Sequence, residues 1–149
     1  LIAMWLRQLA AAAAGLSVTG YLVARDMVVT MAPLDGDEAL QALRVLAALW
    51  RDGMNRPLPT ACKTALALVG DGGDGGGGAN KANARTAYDG GFELQGENQD
   101  LCLARLWPDY SALSAQPDFE RVSQDLYGPL ARWLEQCITM TPIDGEDAA

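Results

Sequence analysis

The sequence predicts an α+β fold, mainly helical with one β-hairpin. Apolar residues recur at three- and four-residue steps through most of the chain, the signature of helices with one buried face. Between residues 17 and 32 that period gives way to two valine-rich runs separated by Arg25-Asp26, which reads as paired strands. Glycine and proline then punctuate the remaining segments at the places where helices would stop.

In chain order, Leu1 to Ala14 reads as a helix with Ile2, Trp5, Leu6, Leu9 and Ala13 on one face and Gly15 as its stop. Because the chain opens directly into that helix without a methionine, it is expected to be part of something longer. Ser17–Ala24 and Met27–Ala32 form the expected hairpin. Both of its faces carry apolar residues, so a larger covered sheet is anticipated. The strongest helix signal runs from Asp35 to Pro59. Asp35 is a natural N-cap with Glu38 completing a capping box, and Leu40, Leu43, Leu46, Ala47, Trp50 and Met54 line one face. Gly53 is placed to end it in the left-handed conformation, and Pro57 bars its resumption. Thr60 is expected to cap a short helix over residues 61–69. Gly70–Gly78 is nearly pure glycine and aspartate, which predicts a flexible insertion. Helices follow at Lys81–Tyr88 and Asn98–Trp107, with Phe92–Leu94 extended between them. A last helix opens at Pro117, with a kink or break expected at Gly128-Pro129.

Composition limits the chemistry. The 149 residues suffice for a real core, and half are hydrophobic. A net charge of −8 with 11 Lys and Arg disfavours a general phosphate-binding surface. Histidine is absent, which removes the commonest general base, the Ser-His-Asp and Cys-His arrangements, and Cys/His zinc sites. Cys62, Cys102 and Cys137 lie far apart and read as free thiols in a reducing cytoplasm. The first apolar run is too short to span a bilayer. A metal-dependent nuclease would need clustered carboxylates beside a lysine, but Lys63 and Lys81 follow no strand with that pattern. Asp35, Asp37 and Glu38 read as helix caps and dipole partners, and so do Glu97 and Asp100. Trp5, Trp50 and Trp133 fall on apolar faces and are assigned to the core. Trp107, just before Pro108, is expected at a helix end with its ring free for a partner. No cofactor is implied.

Several local patterns, in order, resemble one family. They are Trp50-Arg51-Asp52-Gly53-Met54, Arg56-Pro57-Leu58-Pro59, Ala61-Cys62-Lys63-Thr64-Ala65, Ala87-Tyr88-Asp89-Gly90, Gly96-Glu97 with Asp100, Ala104-Arg105-Leu106-Trp107-Pro108, and Leu126-Tyr127-Gly128-Pro129-Leu130. With the first helix and the strand pair, they look like the C-terminal part of the gamma chain of exodeoxyribonuclease V (RecC). The glycine loop departs from that pattern and looks like a tolerated insertion. The resemblance implies a non-catalytic subunit of the RecBCD helicase–nuclease, which processes double-strand DNA ends for recombinational repair. It implies a scaffold that helps split the duplex and contributes to Chi recognition. Residues 1–34 would then close a restriction-endonuclease-like core without catalytic residues. Residues 35–140 would form a helical extension containing the flexible loop 70–79, and 141–149 a disordered acidic tail.

The implied partners are the alpha and beta chains, the upstream domains of the same chain, and linear double-stranded DNA through the whole complex, with no membrane. A second copy pairing along an exposed strand edge is expected of the isolated chain. No catalytic or metal residue transfers from the family. The candidate contacts for DNA or a partner are Arg51, Arg56 and Lys63, with Trp107. A free-standing acidic interaction module and a magnesium-dependent nuclease are the rival readings.

Overall fold

The computed structural model describes residues 1–70, 76–91 and 94–143. Its elements run α1 (Ile2–Ala13), β1 (Gly20–Val23), β2 (Met27–Met31), α2 (Gly36–Gly53), α3 (Cys62–Val69), α4 (Gly76–Asp89), a 3₁₀ turn (Glu97–Gln99), α5 (Leu101–Leu106), α6 (Tyr110–Ser114), α7 (Phe119–Gln136) and β3 (Ile138–Pro142). This is a mainly helical α+β protein with a small antiparallel sheet. The chain divides into two compact units, Leu1–Val45 with Arg132–Ala149, and Leu46–Ala131. No described helix is long and apolar enough to cross a membrane.

In the first unit, Gly15 adopts a left-handed φ of 79°. Its N–H donates to the Ala12 carbonyl and that of Leu16 to Ala11, which closes α1 in a Schellman turn. The hairpin forms with Arg25-Asp26 at its tip, since the Ala24 N–H donates to the Met27 carbonyl. Gly20 stands opposite Met31 and Val23 opposite Val28. The sheet order is β1-β2-β3, and β2 is flanked on its other side by β3, with Met27 opposite Pro142 and Met31 opposite Ile138. Trp5, Leu9, Ala12, Val29, Met31 and Trp133 are buried.

A glutamine holds this unit together. Gln8 is buried, and its Nε2 donates to the carbonyls of Val18, Met31 and Ala32 at 3.2–3.3 Å. Its Oε1 accepts from the Trp133 indole N–H at 2.9 Å. Gly20 lies opposite because an added Cβ would come within 3.3–3.4 Å of the Met31 sulfur and the Gln8 amide. The expected apolar face of α1 is therefore rotated. Gln8 and Ala12 are inside, whereas Ile2 and Leu6 are exposed.

The second unit packs around Ala61, Ala84, Tyr88, Trp107, Tyr110, Leu113 and Phe119. Tyr110 and Phe119 meet edge to face with ring centroids 6.0 Å apart.

Several expectations need correction. Asp35 caps α2 by accepting from the N–H groups of Asp37 and Glu38, but Gly53 stays out of the left-handed region. The end of α2 is instead closed by the Asn55 side chain on the Arg51 carbonyl and by the Met54 and Arg56 N–H groups on Trp50 and Asp52. α7 runs unbroken through Pro129. An internal proline costs about 3 kcal/mol, which burial of Phe119, Val122, Leu130 and Trp133 offsets at roughly 1.5–3 kcal/mol each. The glycine-rich stretch is helical from Gly76, while 71–75 lies outside the described residues. Asn80 anchors this start by donating to the carbonyls of Leu68 and Gly70. Of the extended segment expected at Phe92–Leu94, residues 92–93 lie outside the described residues, as does 144–149 of the expected tail. The expected tail starting at 141 begins inside β3, and this strand draws the C-terminal residues into the same unit as the hairpin.

Gln8→Leu would leave the Trp133 indole N–H buried without its partner, and the expected loss is about 1–3 kcal/mol. Urea unfolding measures it. Stability equal to wild type would remove Gln8 as the tie between α1, the hairpin and Trp133.

Candidate functional site

Four carboxylates of the second unit are engaged by backbone. Asp100 caps α5 by accepting from the N–H groups of Cys102 and Leu103. Asp109 caps α6 through the Ala112 N–H. Asp89 accepts from the Tyr110 N–H at 2.7 Å. Glu97 caps a helix other than its own. Its Oε1 accepts from the Lys63 N–H at 2.9 Å, and its Oε2 from the Thr64 N–H and Oγ1 at 2.7 and 2.8 Å. Thr60, the expected cap of α3, makes no such bond, and its hydroxyl is buried without a partner.

The loop before Glu97 is built for close approach. Gly90 has a φ of 83°, and a Cβ there would meet the Leu94 carbonyl oxygen at 2.7 Å. At Gly96 an added Cβ would overlap the backbone of Tyr88, Asp89 and Gly90. Only glycine fits either position. From the same turn the Tyr88 hydroxyl donates to the Trp107 carbonyl at 2.6 Å in the core. The Tyr127 phenol, half-buried beside Cys62, is pushed well up by burial first and by Cys62 and Glu97 after it. Burial also raises Tyr88 and Tyr110.

Basic residues fare differently from one another. Arg56 is bound to Asp52 at 2.7 Å and to Asp118 at 3.1 Å. The Asp52 hydrogen bond, ahead of that from Asp118, raises its guanidinium above the ordinary range. Arg121 first, with Arg56 after it, holds the Asp118 carboxyl below its ordinary value. Arg56 is thus a tie for the loop after α2. Arg51 and Lys63 are exposed and make no ion pair among the described residues.

Trp50 and Trp107 exchange their expected roles. Trp107, expected at the surface, is only 7% exposed and belongs to the core. Trp50, expected in the core, is 69% exposed, and Met54 one turn later is 70% exposed. In α2, Ala39 and Leu49 are the buried apolar residues instead. The end of α2 therefore offers Trp50, Arg51 and Met54 to solvent. Aromatic, arginine and methionine side chains are enriched in protein contacts, and a partner helix or loop is the chemistry they suit.

Residues 1–72 match the model of a protein family, the RecC C-terminal domain. This segment, just under half of the chain, is similar to a RecC C-terminal region. No curated protein gives a significant match to the chain. The matched region contains α1, the hairpin, α2 and α3, together with Trp50, Arg51 and Lys63. Glu97, which caps α3 of the matched region, itself lies beyond the matched residues. Sequence reasoning identified Glu97 as a cap but assigned it to the wrong helix, because the signal for its true partner is the spatial turn at Gly90–Gly96.

Glu97→Ala should cost about 2–3 kcal/mol by orphaning the Thr64 N–H and hydroxyl, and Glu97→Gln appreciably less. Chemical denaturation of both variants decides it, and equal stability of Glu97→Ala and wild type would dismiss the cap. The raised tyrosines give a second expectation. The folded state holds phenolic protons that the unfolded chain releases above about pH 10, so their contribution is full below that pH and is lost as pH rises through the folded values. An alkaline titration followed by far-ultraviolet dichroism and tyrosinate absorbance should show helix loss together with delayed ionisation. Ionisation of all tyrosines near pH 10 with intact helices would contradict it.

Proposed function

We propose that this chain is a non-catalytic, structural C-terminal part of the gamma subunit of a RecBCD-type ATP-dependent helicase and exodeoxyribonuclease. Such a complex acts in the cytoplasm on linear double-stranded DNA, in break repair and homologous recombination. The observation that carries this reading is the match of residues 1–72 to the RecC C-terminal domain. On this reading residues 1–34 close a nuclease-like core, and the helices beyond them pack against upstream domains of the same chain and against the alpha and beta chains.

Two features support a scaffold. The carboxylates that a metal-dependent nuclease would recruit are occupied in capping, Asp35 on α2 and Glu97 on α3. Trp50 and Met54 stand exposed beside Arg51, a combination suited to a protein contact. Arg51 and Lys63 are the residues we assign to DNA or partner contact. Trp107 drops out of that set because it is buried. In isolation the chain pairs with a second copy of itself.

The test is a pull-down of this chain against the alpha and beta chains of its own organism, at moderate salt and without DNA. Thermal unfolding of the bait runs in parallel. Retention of either chain is expected, and Trp50→Ser with Met54→Ser should weaken it by about tenfold or more. A folded chain that retains neither overturns the proposed contact with those subunits.

A further inference from the structure

Among the described residues the sheet has two open edges, and they differ. On β3, the antiparallel alternation set by the Ala32 N–H on the Cys137 carbonyl and the Ile143 N–H on Asp26 turns the backbone of Ile138, Met140 and Pro142 outward. Pro142 has no N–H to offer, so that edge is blunted. On β1, the Ala24 N–H on the Met27 carbonyl fixes the opposite arrangement. Gly20 and Leu22 bond inward to β2, and the N–H and C=O groups of Tyr21 and Val23 point into solvent. The side chains of the same two residues are 63% and 69% exposed. The stretch from Leu16 to Ala24 contains no charge and no proline, the devices by which edge strands are usually protected.

We infer that the β1 edge is a self-pairing site, at which two copies of this chain join antiparallel about a two-fold axis at Leu22. The inference deepens the self-association proposed above by fixing its edge and register. The subunit reading does not enter it.

Register follows from two conditions. Only outward-turned residues bond across the new junction, so Tyr21 and Val23 must meet Tyr21 or Val23 of the other copy, or residues two positions along. Centring the axis on Leu22 sets Tyr21 against the partner's Val23, and Val23 against the partner's Tyr21. Each such pair exchanges both main-chain bonds. It also places an aromatic ring beside a β-branched side chain, a favourable cross-strand combination. Leu22, half-exposed beside Val29 of β2, meets the partner's Leu22 on the opposite face. Arg25 falls opposite the partner's Thr19, so no like charges face one another. Centring on Tyr21 instead would oppose the two tyrosines and set Val23 against the partner's Thr19, which gives up the aromatic–valine pairs.

The experiment is sedimentation velocity over a concentration series of the whole chain, with two surface variants. Wild type should show a concentration-dependent dimer. Tyr21→Lys and Val23→Glu should each weaken it by about tenfold or more, since every dimer contains two altered pairs. An equimolar mixture of the two variants should recover a heterodimer, because the new lysine then faces the new glutamate while the second pair remains native. Circular dichroism of each variant establishes that it is folded, as expected for substitutions at exposed positions. A monomeric wild type overturns the inference, and so does a dimer that both variants leave intact. A dimer that each variant breaks but the mixture does not restore overturns the register. The pull-down on the alpha and beta chains reads a different surface, at Trp50 and Met54, so the two proposals fail separately.

Discussion

A carboxylate placed 33 residues along the chain from the groups it satisfies sets the geometry of the second unit. The first turn of any helix presents N–H groups with no partner inside the helix. In α3 the local sequence does not supply one, since its N-cap is Ala61 and Thr60 points elsewhere. Glu97 fills the role and adds a bond to the buried Thr64 hydroxyl. For it to arrive there, the chain must reverse after α4 within a few residues. Gly90 and Gly96 permit this by letting backbone touch backbone. Tyr88 and Asp89, just before the reversal, are fixed to the Trp107 carbonyl and the Tyr110 N–H. Remove the carboxylate and this set of ties loses its common end.

The first unit solves the same problem with a neutral group. An amide supplies donors and an acceptor at once, and Gln8 uses both. Its nitrogen collects carbonyls from the start and the end of the hairpin segment, and its oxygen holds the Trp133 indole. Burying such a group is tolerated because it is bonded on both sides. The motifs through which this sequence resembles the gamma chain of exodeoxyribonuclease V have a comparable character. Tyr88, Asp89, Gly90, Gly96, Glu97, Asp100 and Trp107 are all engaged in holding backbone. They are signatures of architecture.

What the sequence disclosed and what it concealed divide along the same physical line. Local signals were legible. Asp35, Gly15, Asp100 and the Arg25-Asp26 tip act within a few residues of where they stand, and the structure uses them as expected. Long-range ones were not. The period of α2 placed Trp50 on the apolar side, about 20° around the helix from Ala39, yet Trp50 is exposed while Ala39 and Leu49 are buried, because the period does not say how far along the helix that face is covered. Trp107 looked peripheral because Pro108 follows it, and nothing local indicated that Tyr88 would bond its carbonyl. β3 was missed although Ile138-Thr139-Met140-Thr141 alternates with a strand period, since the helix before it runs to its edge. Of the candidate contacts, Arg51 and Lys63 lie at the surface, Arg56 is committed to two aspartates, and Trp107 is inside.

The position of β3 has a consequence for the order of folding. Met27 faces Pro142 and Met31 faces Ile138, so β2 acquires its second neighbour only after residue 142 has been synthesised. Trp133, the acceptor-seeking partner of Gln8, arrives almost as late. Pairings so distant in sequence are slow to close. During synthesis the β2 edge must wait for β3 while the compact segment 46–131 gathers its own core from nearer contacts. The hairpin, made before residues 46–131, thus belongs to the unit finished after them, and the interval between is when a chaperone or an unwanted strand has its opportunity.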